Sequence, residues 1–348
     1  MRSSPNHVIS DSIWARAYPS KVAISFFSVF GVSRDPTYLE DAVRQVEWGH
    51  LQETPNDLIQ QPSGAPGTDG GAPPLFSSFG LSSSVLGYEL AFKSTRDPRY
   101  VQWADDTISA LLALPTTVRC WPGRCFNLFY LLYLLDPPFS PYGDVDFEPN
   151  QQATHGVALT LLFHEPQSKY FHDPVISEIA HEQLDAALVM MDSNGRVPLA
   201  SAPTHVNQFD TAYGSVTLLW ITWANRYWED PRYGEALELG AKWLNEYTQG
   251  GPRTLRYDPK FYTGPVPDPQ ELYFRLPLFY FYGGDREALE DGLDDIWMQW
   301  PNFETNVRGA YVSPFIIFKD MGIPASEYWG SCIANPCIPV RNETPAPH

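Results

Sequence analysis

Apolar positions along this chain fall into two alternating kinds of run. The stretch from Asn207 to Tyr247, NQFDTAYGSVTLLWITWANRYWEDPRYGEALELGAKWLNEY, shows both. From Ala212 to Tyr227 it is apolar nearly all the way round, the pattern of a helix buried on every side. Asp230-Pro231 then interrupts it. Tyr233 to Tyr247 places Ala236, Leu237, Leu239, Gly240, Trp243, Leu244 and Tyr247 on one face and Glu235, Glu238, Lys242 and Glu246 on the other. That is a half-exposed helix. A buried helix followed by an amphipathic one is an inner/outer hairpin.

The pair recurs four more times. Val22–Val32 precedes Arg34-Asp35-Pro36-Thr37-Tyr38 and a run to Trp48. Phe76–Phe92 precedes Arg96-Asp97-Pro98-Arg99-Tyr100 and a run to Leu114. Gln151–Phe163 precedes Tyr170, Asp173-Pro174 and a run to Met191. Leu272–Tyr282 precedes Gly283-Gly284-Asp285 and a run to Trp300. The period is roughly 55–62 residues, a repeat in which each unit buries its apolar helix against its neighbours. Proline after Asp suits the first turn of the outer helix, where its missing N–H costs nothing, and the following Tyr can pack back across the turn. No polar capping repeat closes either end, so the repeat is expected to close on itself. The expectation is an all-α (α/α)6 toroid of about six hairpins in one domain over residues 1–348. Residues 1–20 form an arm and 326–348 a Pro-rich tail. A seventh apolar run, Phe126–Leu135, is available as an additional inner helix.

Composition narrows the function. The chain has 41 acidic residues against 23 basic and a formal charge of −18, which excludes the basic faces that nucleic acids and anionic membranes select. No apolar run reaches the ~20 residues of a membrane span, and the first residues lack the apolar core of a secretory signal, so a cytoplasmic location is expected, or a secreted one where Met1 replaces a leader. Glycine-rich phosphate loops and CxxC or HExxH spacings are missing, so neither a metal nor another cofactor is expected. A small-molecule substrate is.

Three long connections, Glu53–Pro74, Asp136–Pro149 and Arg253–Pro269, all lead into inner helices. They should gather at one mouth of the ring, beside the unpaired N–H groups of the inner-helix N-termini. Candidate chemistry is therefore polar and placed at or just before those helices. Asp210 is the first candidate acid or base, with His155 and Tyr213 beside it. Asn207, Gln208, Asp144, Asp146, Glu148, Gln151 and Tyr311 are candidate substrate contacts. Asn150 and Asn207 can equally cap their helices, and a lone His one turn into an apolar helix can be a satisfied core group. Asn150-Gln151 with Thr154 and Gly156 echoes Asn207-Gln208 with Thr211 and Gly214. Arg275, inside LYFRLPLFYFY, needs a partner for its guanidinium, either Glu271 one turn earlier or an anionic substrate group. Cys120/Cys125 and Cys332/Cys337 are close pairs with Pro between, suited to local disulfides or neighbouring thiols.

The repeat, the mouth loops and the length resemble the six-hairpin (α/α) toroid superfamily of glycoside hydrolases, polysaccharide lyases, sugar epimerases and linalool dehydratase-isomerases. RCWPGRCFN (119–127), NRYWEDPRYGEALELGAKWL and AYVSPFIIFKDMG are similar to segments of the last branch. That resemblance implies that Cys120 and Cys125 act as catalytic residues at a substrate alkene. The resulting expectation is a lyase, isomerase or cyclase acting on an apolar terpenoid- or polyketide-like molecule, using Asp210, His155, Tyr213 and the two cysteines. The alternative is a glycoside hydrolase using two carboxylates, such as Asp210 with Asp144, Asp146 or Glu148, or a uronate lyase using His205, Tyr213 and Arg275.

Overall fold

The computed structural model describes residues 19–51, 60–61, 75–121, 123–134, 140–141, 147–198, 209, 211–246, 275–286 and 315–324. Among the described residues the inner helices are α1 (Pro19–Ser33), α3 (Ser78–Thr95), α5 (Pro149–His164), α7 (Thr211–Trp228), α9 (Leu276–Tyr282) and α10 (Phe315–Asp320). The described outer helices are α2 (Pro36–His50), α4 (Arg99–Leu112), α6 (Pro174–Val189) and α8 (Pro231–Asn245). Along the inner layer α1 touches α3, α3 touches α5, α5 touches α7, α7 touches α9, α9 touches α10, and α10 returns to α1. The ring is closed. Each described outer helix packs on the inner helix before it; α2, α4 and α8 also pack on the next one, and α6 reaches α7 through His181 against Trp228.

The turns between inner and outer helices repeat because their chemistry repeats. Arg34, Arg96 and Glu229 each adopt a left-handed backbone, with φ of 57°, 62° and 52°, which stops the inner helix; His172 adopts the same conformation, φ 54°, directly before Asp173, although α5 has already ended at His164. The Asp that follows caps the outer helix: Asp35, Asp97, Asp173 and Asp230 accept from the amides of Thr37, Arg99, Val175 and Arg232 at 2.8–3.0 Å. Tyr38, Tyr100 and Tyr233 then fold back into the core as the repeat predicts.

Inner and outer layers approach closely where the inner helix carries glycine. A Cβ on Gly156 would sit 2.5 Å from Leu184 Cγ of α6, and one on Gly214 would sit 2.7 Å from the Trp243 ring of α8. The echo between the two inner-helix starts is therefore partly steric: each glycine receives an outer-helix side chain. Gly156→Ala is expected to cost about 1–3 kcal/mol by overpacking, read as a lower urea midpoint; an unchanged midpoint would show that α6 can give way.

Two departures from the sequence pattern stand out. Phe126–Leu135 is not a seventh helix. Its described part, 126–134, lies in and between strands β4 (Arg124–Phe129) and β5 (Leu132–Leu134). β4 pairs antiparallel with β3 (Thr116–Trp121), and β5 pairs with β2 (Leu75–Ser77), which also pairs with β1 (Gln60–Gln61). Leu239, assigned to the apolar face of its helix, is 41% exposed. The N-terminal arm and the C-terminal tail lie outside the described residues.

Candidate functional site

The inner helices begin in polar residues that are nonetheless buried. α3 opens with Ser78, Ser82, Ser83 and Ser84, α5 with Asn150, Gln151, Gln152, Thr154 and His155, and α7 with Thr211 and Ser215. The sheet β1-β2-β5 lies at this end, because β2 runs directly into α3 and the Ser78 amide donates to Leu131 O at 3.1 Å. Glu148, half-buried, precedes α5 and accepts from Gln151 Nε2 at 2.6 Å.

His155 is fully buried and bridges α3 and α5. Ser78 Oγ uses its one hydrogen on Tyr130 O at 2.6 Å, so it must accept from His155 Nε2 at 3.2 Å. Nδ1 is then the acceptor for Ser82 Oγ at 2.7 Å. Burial drives the imidazole down to about 3, so it stays neutral at physiological pH. His155 is held as a core hydrogen-bonding bridge and does not cycle a proton there. Other atoms of this collar are less well served. Asn150 Oδ1, Gln152 Oε1 and Thr211 Oγ1 are buried with no hydrogen-bond partner, and buried polar groups ordinarily have one.

Arg275 is fully buried and starts α9. Its Nε donates to Ser215 Oγ of α7 at 3.1 Å, and one terminal nitrogen donates to Leu244 O of α8 at 3.4 Å. The guanidinium thus ties inner and outer layers together, as well as being positioned near the collar. Tyr213 is 41% exposed in the first turn of α7.

Cys120 and Cys125 are not free thiols. They face each other across the β3–β4 hairpin, joined by a disulfide and exposed to solvent. The hairpin is anchored to the outside of α6: Glu182 accepts from the Asn127 amide at 2.6 Å, Gln183 donates to Asn127 O at 2.8 Å, and Arg124 pairs with Asp185. A disulfide has no thiolate to offer a substrate, so the expected catalytic role of these cysteines is withdrawn. Asp210, Asn207, Gln208, Asp144, Asp146, Tyr311, His205, Glu271 and the Cys332/Cys337 pair lie outside the described residues.

A second polar cluster lies at the opposite end, where the inner helices stop. Asp320 of α10 accepts from Lys93 Nζ of α3 at 2.5 Å, from Trp223 Nε1 of α7 at 2.8 Å and from the Tyr227 hydroxyl. Lys93 also donates to Tyr227 at 2.7 Å. One turn before Lys93, Glu89 is completely buried with neither carboxyl oxygen hydrogen-bonded. The available signal was a charge inside an inner helix otherwise apolar all round, as in VLGYELAFK and FIIFKD. Among the described residues no group of His, Cys, Asp and Glu could hold a metal ion, and no helix is long and apolar enough to cross a membrane.

No family model and no curated protein matches the sequence. Solved structures do. An unsaturated glucuronyl hydrolase specific for heparin superposes with a TM-score of 0.59 at 11% identity, covering 90% of this chain and 87% of its own. A sugar epimerase from a ruminal bacterium gives 0.57 at 10%, covering 87% of each chain. The family 76 glycoside hydrolase (mannosidase) Bt3792 of Bacteroides thetaiotaomicron gives 0.55 at 10%, covering 90% and 88%. The fold is an (α/α) toroid. Identities this low carry the architecture and not the activity.

Proposed function

We propose that the protein is a carbohydrate-active enzyme, a glycoside hydrolase or polysaccharide lyase, working where the inner helices begin. The observation that carries this reading is the collar of buried polar first turns, with Asn150 Oδ1, Gln152 Oε1 and Thr211 Oγ1 unpartnered. A sugar carries hydroxyl groups that match a ring end built from polar first turns, whereas an apolar terpenoid offers that end no hydrogen bonds. The sugar-acting enzymes that share the ring agree with this choice.

Within this reading Asp210, just before α7, is the acid/base residue. Asp144, Asp146 or Glu148, just before α5, supplies the second carboxylate of a hydrolase. Tyr213 is the proton-transfer group of the lyase variant. The test is a panel of 4-nitrophenyl glycosides and uronate-containing polysaccharides, the latter followed by absorbance of the unsaturated product. Turnover of at least one sugar is expected, and Asp210→Asn should lower it by ~10²-fold or more with the fold intact. If no sugar is bound or turned over while an apolar terpenoid alcohol is, the proposal fails.

A further inference from the structure

The end of the ring where the inner helices stop holds a cavity of about 550 Å³. Its walls come from the ends of α1, α3, α7 and α10 and from Glu165 just after α5, so five of the six described inner helices converge on it. Four cations line it, Arg34, Lys93, Arg96 and Lys319, against two carboxylates, Glu165 and Asp320. Both carboxylates are engaged. Asp320 is taken by Lys93, Trp223 and Tyr227, and Glu165 accepts from the Gln167 amide at 3.1 Å. Among the described residues Arg34, Arg96 and Lys319 form no ion pair.

Cations at helix C-termini complement the carbonyl ends, and that accounts for Arg34 and Arg96, which stop α1 and α3. It does not account for a cavity at the point where they converge, nor for the setting of Lys319. The stem of Lys319 lies over Gly31 of α1, where a Cβ would come within 2.8 Å of its Cδ. Its ammonium stands over the rings of Phe27 and Phe30 at 5.6 and 5.4 Å. Of its three donors one is used, on Ser94 Oγ at 3.1 Å. An ammonium walled by rings and given one neutral acceptor lacks the counter-charge that burial ordinarily demands.

We propose that this funnel is a second ligand site, at the end of the ring away from the polar collar, for a small molecule bearing an oxyanion group, phosphate or carboxylate. Lys319 meets the anion inside, and Arg34 and Arg96 meet it at the rim. Burial lowers Lys319 to about 8, the charges of Arg34 and Lys93 add to the effect, and Asp320 opposes it. A bound anion reverses that shift, so binding near pH 8 takes up a proton.

Calorimetric titration of the whole chain at pH 8 with inorganic phosphate, D-glucuronate and D-glucose tests the site. At least one anion should bind, with an apparent enthalpy that varies with the ionisation heat of the buffer, while any heat from glucose should be unchanged by Lys319→Met. Phosphate alone would indicate a phosphate ester, glucuronate alone a sugar acid. Lys319→Met keeps the stem over Gly31 and should lower affinity by about tenfold or more, while Arg96→Gln, at the exposed rim, should weaken it about two- to threefold. Binding of neither anion up to ~10 mM, or equal binding by folded Lys319→Met, overturns the proposal.

Discussion

Glu89→Gln is expected to make the protein more stable at pH 8 than the wild type and to remove most of the stability lost between pH 5 and pH 8. Glu89 sits in the second half of α3, wholly buried, and burial pushes its carboxyl up to about 8. Lys93 pulls the other way, and Glu165, Asp320 and Asp105 reinforce the rise. In the unfolded chain the group titrates near 4.5. Between those two values the folded state holds a proton that the unfolded state has released, so stability falls by up to ~1.4 kcal/mol for each pH unit climbed. At pH 7 the accumulated loss is about 3 kcal/mol, it is complete near pH 8, and below pH 4.5 it is absent. His155, His164 and His181, held low by burial, act in the opposite sense below about 6.5, since the unfolded chain binds their protons first. Asp192 and Asp230, held below their ordinary range, matter only under about pH 4. These terms are common to both proteins, so the difference between their urea curves at pH 5, 6.5 and 8 isolates Glu89. Gln keeps the shape of the neutral acid. Parallel curves would mean that Glu89 ionises normally in the folded state.

The ring was legible because its cause is local and repeated. A residue that stops one helix, an Asp that caps the next, a Pro in its first turn and a Tyr that packs back all fall within five positions, and the pattern recurs along the chain. Phe126–Leu135 misled because a short apolar run is compatible with either helix or strand; what decides it is pairing to Leu75–Ser77 and to Thr116–Trp121, which composition does not show. The polar collar was half legible. Asn150, Gln151 and His155 were visible as polar residues at a helix start, but that His155 is spent on Ser78 and Ser82 depends on the packing of α3 against α5. The cluster around Asp320 was not legible as a cluster. Its partner Lys93 lies 227 positions away, and only closure of the ring brings α10 back beside α1 and α3.

Asp320→Asn is expected to destabilise the fold by about 3–5 kcal/mol, because it leaves the Lys93 ammonium in the ring without its counter-charge. Burial works against that ammonium, yet Asp320 and then Tyr227 hold it above its ordinary range. The Asp320 side chain is 4% exposed and that of Lys93 29%. The pair also joins helices that are not neighbours: α5 lies between α3 and α7, yet Lys93 of α3 and Trp223 and Tyr227 of α7 all meet Asp320 of α10. Losing it therefore loosens the ring across its axis rather than at one seam. Removing both charges separates the cost of an orphaned cation from the net value of the pair. Lys93→Met with Asp320→Asn keeps a carbonyl for Trp223 or Tyr227 and removes the unpaired ammonium, so it should recover at least half of the loss in a denaturation series. If the double variant is as unstable as the sum of the two single variants, the charges are not coupled and the cluster acts only through its neutral hydrogen bonds.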